Sequence, residues 1–200
     1  MSDEIKCCHE PARDLPVRDE VDVIVAGGGP AGVAAAVTAA RGGARVLVLE
    51  NHGCLGGVWT SGALSWIIDH ENKTGFMSEL LQRLQRAGGR ARNSAGQWSS
   101  GYDVETMKVE LDSVCAEAGV QVRLHTRVVA ALRDADGRRL THVITESRSG
   151  REAWSAKVFI DTTGDGDLAA RAGCGFDMGH PQSGGVQPMS LIGLFTGVDP

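Results

Sequence analysis

Gly27, Gly29 and Gly32 stand in the G-x-G-x-x-G spacing, and Glu50 follows roughly twenty residues later. Residues of these types at this spacing can hold a diphosphate and a ribose without any covalent bond. Gly27 permits a tight strand-to-helix turn. Gly29 has no Cβ, so a pyrophosphate can approach the main chain. Gly32 lets the following helix lie close to its strand. Pro30 and Ala31 open that helix, whose first N–H groups and positive dipole end face the phosphates. Glu50, with Asn51 beside it, would accept hydrogen bonds from ribose hydroxyls and repel a 2′-phosphate, which argues against NADP.

These residues need a frame. Val21–Ala26 is a nearly unbroken β-branched run, as expected of a strand buried on both faces of a parallel sheet. Ala31–Ala40 is an alanine-rich helix that Gly42 and Gly43 end, and Ala44–Leu49 is a second buried strand. Residues 51–72 lack periodicity and carry four glycines, the mark of a long functional loop. Phe76, Met77, Leu80, Leu81 and Leu84 form one helical stripe. Met107, Leu111, Val114 and Ala118 form another, capped by Asp103 and sharing its buried face with Cys115. Val120–Leu124 is a short strand. Val128–Leu132, Leu140–Glu146 and Ala153–Ile160 then read as an antiparallel meander turned at Asp136-Gly137 and Ser149-Gly150. Leu168–Ala172 is a short helix, and the tail ends on a strand-like LIGLFTGV.

The fold class expected is therefore α/β: a Rossmann-like FAD/NAD(P)-binding fold with a parallel central sheet and an antiparallel β-meander at about 127–157. Residues 1–20, broken by Pro11 and Pro16, read as an N-terminal arm. Residues 21–172 read as the dinucleotide-binding domain, and 173–200 as the start of a substrate or cap region.

Composition narrows the partners. Lys+Arg is 20 against Asp+Glu 25, a net charge of -5 with no basic stripe, so nucleic acid is not an expected partner. The five cysteines are scattered and suggest neither a disulfide framework nor a metal site, Cys7-Cys8-His9 lacking a second ligand pair. No run reaches the ~20 apolar residues of a membrane span, and the charged N-terminus has no secretory h-region. A reducing cytoplasmic setting is expected.

The longer motifs decide between flavin and nicotinamide. DLPVRDEVDVIVAGGGPAG, GCLGGVWTSG, VFIDTTGDGDLAARAG and QPMSLIGLFTGVD together resemble FAD-dependent oxidoreductases with a glutathione-reductase-type flavin domain. The likeness runs from about residue 14 to the end. It implies FAD as cofactor, with Gly27, Gly29 and Gly32 on its pyrophosphate and Glu50 on the adenosine ribose. It also implies Gly56 and Gly57 close to the pyrophosphate and ribityl chain, Thr60 near the flavin, and the Val128 backbone at adenine. Thr162, Thr163, Gly164 and Asp165 would return the chain from the meander to the cofactor. Disulfide-reducing relatives carry a cysteine pair after the two glycines; here Val58, Trp59, Thr60 and Ser61 follow, so dithiol chemistry is not expected. Trp59 and Trp66 would either flank the flavin or a substrate, or wedge the loop onto the core.

The expected activity is hydride or two-electron transfer between a small organic substrate and FAD, with an unidentified electron acceptor. The competing readings are a nicotinamide-binding dehydrogenase module and an inactive nucleotide-binding fragment. His52, His70, His180 and Asp69 are candidate bases, among which His52 lies next to the cofactor segment. Such relatives extend well past this length, so a C-terminal truncation, with a missing C-terminal half as partner, is expected.

Overall fold

The computed structural model describes residues 7–193. Six strands form one sheet in the order β3-β2-β1-β6-β5-β4. They are β1 (Val17–Ala26), β2 (Val46–Leu49), β3 (Gln121–Arg123), β4 (Arg127–Arg133), β5 (Leu140–Ser147) and β6 (Gly150–Asp161). The helices are α1 (Pro30–Arg41), α2 (Phe76–Arg86), α3 (Val104–Glu117) and α4 (Asp167–Arg171). β3, β2, β1 and β6 pair parallel, whereas β4, β5 and β6 pair antiparallel. β6 belongs to both halves: Ala153 and Ser155 pair with β5 on one side and with β1 on the other, and Val158–Asp161 continue alongside β1 alone. The meander thereby delivers the chain back to the carboxyl end of β1.

The period of two along the strands explains the layers. Val23, Val25, Val46 and Val48 face the helical side, where Val33, Val37, Met107 and Leu111 close the core. Ile24, Ala26, Leu47 and Leu49 face the other side, against Val128, Val143, Trp154 and Leu168. A sheet covered on both faces needs the continuous apolar strands that the sequence carries. The three larger helices are also laced by charge. Arg41 of α1 meets Glu79 of α2 at 2.6 Å, and Arg83 of α2 pairs with both Glu79 and Glu117 of α3.

The departures from the sequence expectation that bear on the site are at β1, β2 and the tail. β1 begins at Val17, inside the expected arm, because Val17 and Glu20 pair with Ala153 and Ser155. Pro16 does not prevent this, since its carbonyl accepts from the Ala153 N–H at 2.9 Å and no N–H is asked of it. β2 begins at Val46 rather than Ala44; the Arg45 carbonyl is already used by the Asp22 and Val23 amides. Residues 173–193 hold no helix or strand, and the strand-like LIGLFTGV lies mostly outside the described residues.

The long loop is anchored rather than loose. Leu55, Trp59 and Ile67 are buried, and the Tyr102 hydroxyl reaches the carbonyls of Trp59 at 2.8 Å and Leu64 at 2.6 Å. Trp59 therefore wedges the loop onto the core, while Trp66 stays exposed. Cys115 is a buried core residue whose thiol burial holds above its ordinary range, at about 11.

Candidate dinucleotide site

A cavity of about 740 Å³ opens at the carboxyl end of β1 and β2, within the few-hundred to thousand Å³ range of small-molecule sites. Its floor is the glycine turn. Gly27 takes φ +100°, and a Cβ there would stand 2.5 Å from the Thr162 carbonyl oxygen. A Cβ on Gly32 would collide with the Gly27 carbonyl oxygen and come within 2.8 Å of Thr162 Oγ1. These two glycines are thus required by chain packing. Gly29 is different: a Cβ there meets nothing within 4 Å and would project into open space.

Gly29 is also the residue before α1, and Pro30 fills the first helical position. The amides of Gly29, Ala31 and Gly32 find no backbone or side-chain acceptor among the described residues. Unpaired donors at a helix's positive end form an anion site. This is the geometry a pyrophosphate needs, so the residues present fit a dinucleotide.

The loop reinforces this floor. The Gly56 N–H donates to the Gly28 carbonyl at 2.8 Å, and a Cβ on Gly57 would sit 3.1 Å from Gly29 Cα. The two glycine motifs meet main chain to main chain. Gly57, Val58 and Ser61 line the cavity. Thr60 does not: it is buried, and its hydroxyl donates to the Leu55 carbonyl at 2.5 Å.

At the end of β2, the Glu50 side chain is buried beside the turn. Its Oε2 accepts from the Gly28 N–H and its Oε1 from the His52 N–H, each at 2.6 Å. Asn51 and His52 line the cavity next to it, as do Thr126, Arg127 and Val128 at the start of β4. The Glu50 carbonyl in turn accepts from the Thr126 N–H at 2.8 Å, which brings β4 up to this wall.

The opposite wall follows β6. Thr162 Oγ1 lies 2.9 Å from the Ala26 carbonyl and 2.8 Å from that of Gly27, tying the end of β6 to the glycine turn. Asp161 accepts from the Thr163 N–H, the Thr163 hydroxyl and the Ala169 N–H at 2.8–3.0 Å. Burial works to raise the Asp161 carboxyl, but these hydrogen bonds prevail and hold it below the usual range. Thr163 and Gly164 are thereby presented to the cavity, together with Asp167.

Of the residues expected from sequence, the cavity gathers Gly27, Gly29, Pro30, Glu50, Asn51 and His52 from one side. Val128 stands on the same wall as Glu50, Gly57 comes from the loop, and Thr162, Thr163 and Gly164 complete the cavity from the β6 side. Ala31, Gly32, Gly56, Thr60 and Asp165 do not line it; Asp165 is exposed and the others act through the backbone or packing. Val58, Ser61, Thr126, Arg127 and Asp167 line it without having been singled out. Ser61 lies in the quoted TSG stretch, whereas nothing in Thr126-Arg127 marks a site until β4 is seen to close on Glu50. The other candidate bases lie elsewhere. His70 Nε2 stands 2.9 Å from Ser100 Oγ, Asp69 pairs with Lys73 at 3.0 Å, and His180 sits in the tail.

Among the described residues no helix is long and apolar enough to cross a membrane. Comparison with solved structures finds the same fold in distantly similar chains. The THI4 protein of Thermovibrio ammonificans is 20% identical with a TM-score of 0.55, covering 76% of this chain and 61% of that one. A geranylgeranyl bacteriochlorophyll reductase-like protein of Thermoplasma acidophilum is 21% identical with a TM-score of 0.56, covering 78% and 42%. The L-proline dehydrogenase of P. horikoshii is 14% identical with a TM-score of 0.55, covering 88% and 64%. The chain thus spans less than two thirds of the length of each of these relatives. No curated protein matches. The family model described as FAD dependent oxidoreductase matches residues 22–200, so the chain belongs to the FAD dependent oxidoreductase family.

Proposed function

We propose that the cavity holds FAD in an extended pose and that the protein uses it to oxidise or reduce a small organic substrate. In this reading the pyrophosphate lies over Gly29 and the start of α1, with Gly57 packed close. Glu50 takes the adenosine ribose, and the Val128 backbone faces adenine. Thr163 and Gly164 hold the opposite side of the cofactor. The observation that carries the reading is the open space above Gly29 beside unpaired helix N-terminal amides, in a chain of this family.

Bound flavin would supply the two-electron chemistry, exchanging a hydride equivalent with the substrate. The chain's own residues bind, orient and desolvate. Glu50 is pre-set by two main-chain donors, so ribose meets an acceptor that needs no rearrangement. The unpaired amides at the start of α1 neutralise diphosphate charge that would otherwise be solvated. His52 adjoins Glu50 and in this pose stands at the adenosine end, which leaves it no role as a substrate base.

The domain arrangement follows from the same reading. Residues 21–172 form the FAD-binding unit, 1–20 an arm whose last residues extend β1, and 173–200 the first part of a substrate or cap region. Oxygen, a quinone or another carrier would reoxidise the flavin. The proposed compartment is the reducing cytoplasm, supported by the unbridged thiols of Cys54 and Cys115.

The test is the absorption spectrum of the purified chain before and after adding FAD. Flavin bands that survive gel filtration support the proposal. A colourless chain that takes up NAD but not FAD replaces it with a nicotinamide module. Folded protein that binds neither is a nucleotide-free interaction module.

A further inference from the structure

On the far side of α4 lies a second concavity, of about 470 Å³. No residue lines both it and the dinucleotide cavity. Its construction follows from local sequence. Lys157, Phe159 and Asp161 alternate along β6 and so share one face. Leu168, Ala169 and Ala172 come from α4 and its end, and Leu140 opens β5. The floor is thus apolar, with Phe159 and Leu140 both half-buried.

The rim is cationic. The β4–β5 turn reads Arg133-Asp134-Ala135-Asp136-Gly137-Arg138-Arg139. Asp134 is spent on the turn itself, its Oδ1 accepting from the main-chain amides of Arg138 and Arg139 at 3.0 and 3.2 Å. The Arg138 and Arg139 guanidiniums have no hydrogen-bond or ion-pair partner among the described residues. Arg133 spans the groove's end. It reaches the Gly137 carbonyl at 3.4 Å, and a Cβ on Gly173 would lie 3.3 Å from its guanidinium. The one lining carboxylate, Asp161, is committed to Thr163 and Ala169, and Lys157 is paired with Asp22 at 2.7 Å. Asp136 of the same turn does not line the groove, so the lining carries Arg133, Arg138, Arg139 and Lys157 against Asp161, over an apolar floor.

We infer that this groove binds a small organic anion: a carboxylate or sulfonate headgroup on an aliphatic or aromatic body. Arg133, Arg138 and Arg139 take the headgroup, as guanidiniums match an oxyanion with paired donors. Phe159, Leu140 and Ala172 take the body. The volume suits one such molecule. The two cavities share no lining residue, so this anion and FAD would not compete for one place.

Isothermal titration of the purified chain with sodium octanoate, with inorganic phosphate as the headgroup-only control, tests this. Octanoate should saturate one site, and phosphate should bind at least about tenfold more weakly. The double variant R138A/R139A should weaken octanoate about tenfold or more. Both side chains are exposed and unpartnered, so folding should survive. A172W, which fills the groove without removing charge, should weaken octanoate as much. FAD titration of both variants should match the parent protein. Absence of saturable octanoate binding overturns the inference, and so does binding unchanged in both variants. Phosphate binding as tight as octanoate also overturns it, because the apolar floor would then play no part.

Discussion

The Glu50 carboxylate and the Gly28 amide are joined directly, with Oε2 accepting from the N–H at 2.6 Å. Oε1 accepts from His52 at the same distance, so one buried side chain fixes the glycine turn and the strand end together. Glu50→Gln keeps one acceptor oxygen but presents an NH₂ to the other main-chain N–H. We expect a loss of about 1–3 kcal/mol in stability from that unmatched pair, read as a lower melting temperature, and weaker FAD retention. An E50Q protein with unchanged melting and FAD affinity would show that this linkage carries nothing.

Gly29 and Gly32 separate binding from folding. A side chain at 29 enters open cavity space, so Gly29→Val should leave circular dichroism and melting close to the parent while FAD affinity collapses. Gly32→Ala drives a methyl into the Gly27 carbonyl and Thr162, so it should yield little folded protein. Thermal melts beside FAD titrations distinguish the two. The reverse pattern would misplace the phosphate site.

Tyr102 ties the loop that carries Gly57 and Ser61. Tyr102→Phe removes the hydroxyl shared by the Trp59 and Leu64 carbonyls, at a cost of about 1–3 kcal/mol. Faster amide exchange at Gly62–Leu64 and faster FAD release are the expected readouts. Exchange unchanged in that segment would show that Trp59 packing alone holds the loop.

Acid stability should report the helix lacing. Glu79 is hydrogen-bonded foremost by Arg41, against a smaller burial penalty, and then by Arg83, which brings its carboxyl down to about 2. A depressed carboxyl contributes stability that is complete above its unfolded value near 4.5 and lost as pH falls through about 2. Glu79→Gln should therefore be less stable than the parent at pH 7, with the gap closing between about pH 4.5 and 2. Denaturant melts across that range measure it. A gap independent of pH would assign the loss to packing instead.

Much of this was legible in the residues themselves. The valine runs of β1 and β2 marked buried parallel strands because both faces had to be apolar, and the glycine spacing marked the turn between them. The stripes at Leu80–Leu84 and Met107–Leu111 placed α2 and α3. What escaped notice was tertiary. Pairing of Val17 and Glu20 with β6 depends on where the meander returns, more than a hundred residues later in the chain. Thr126 and Arg127 carry no local pattern and join the cavity only because the Thr126 amide docks on Glu50. The family resemblance implied Thr60 near the flavin, whereas its hydroxyl donates to the Leu55 carbonyl inside the loop.

The most direct measurement is a titration of FAD, and separately of NAD, into the purified chain, followed by flavin fluorescence and gel filtration, with G29V alongside. Saturable FAD uptake by the parent chain, abolished in a folded G29V protein, is expected. FAD uptake that G29V leaves intact, or uptake of NAD in place of FAD, would contradict a flavin diphosphate seated on the Gly29 main chain.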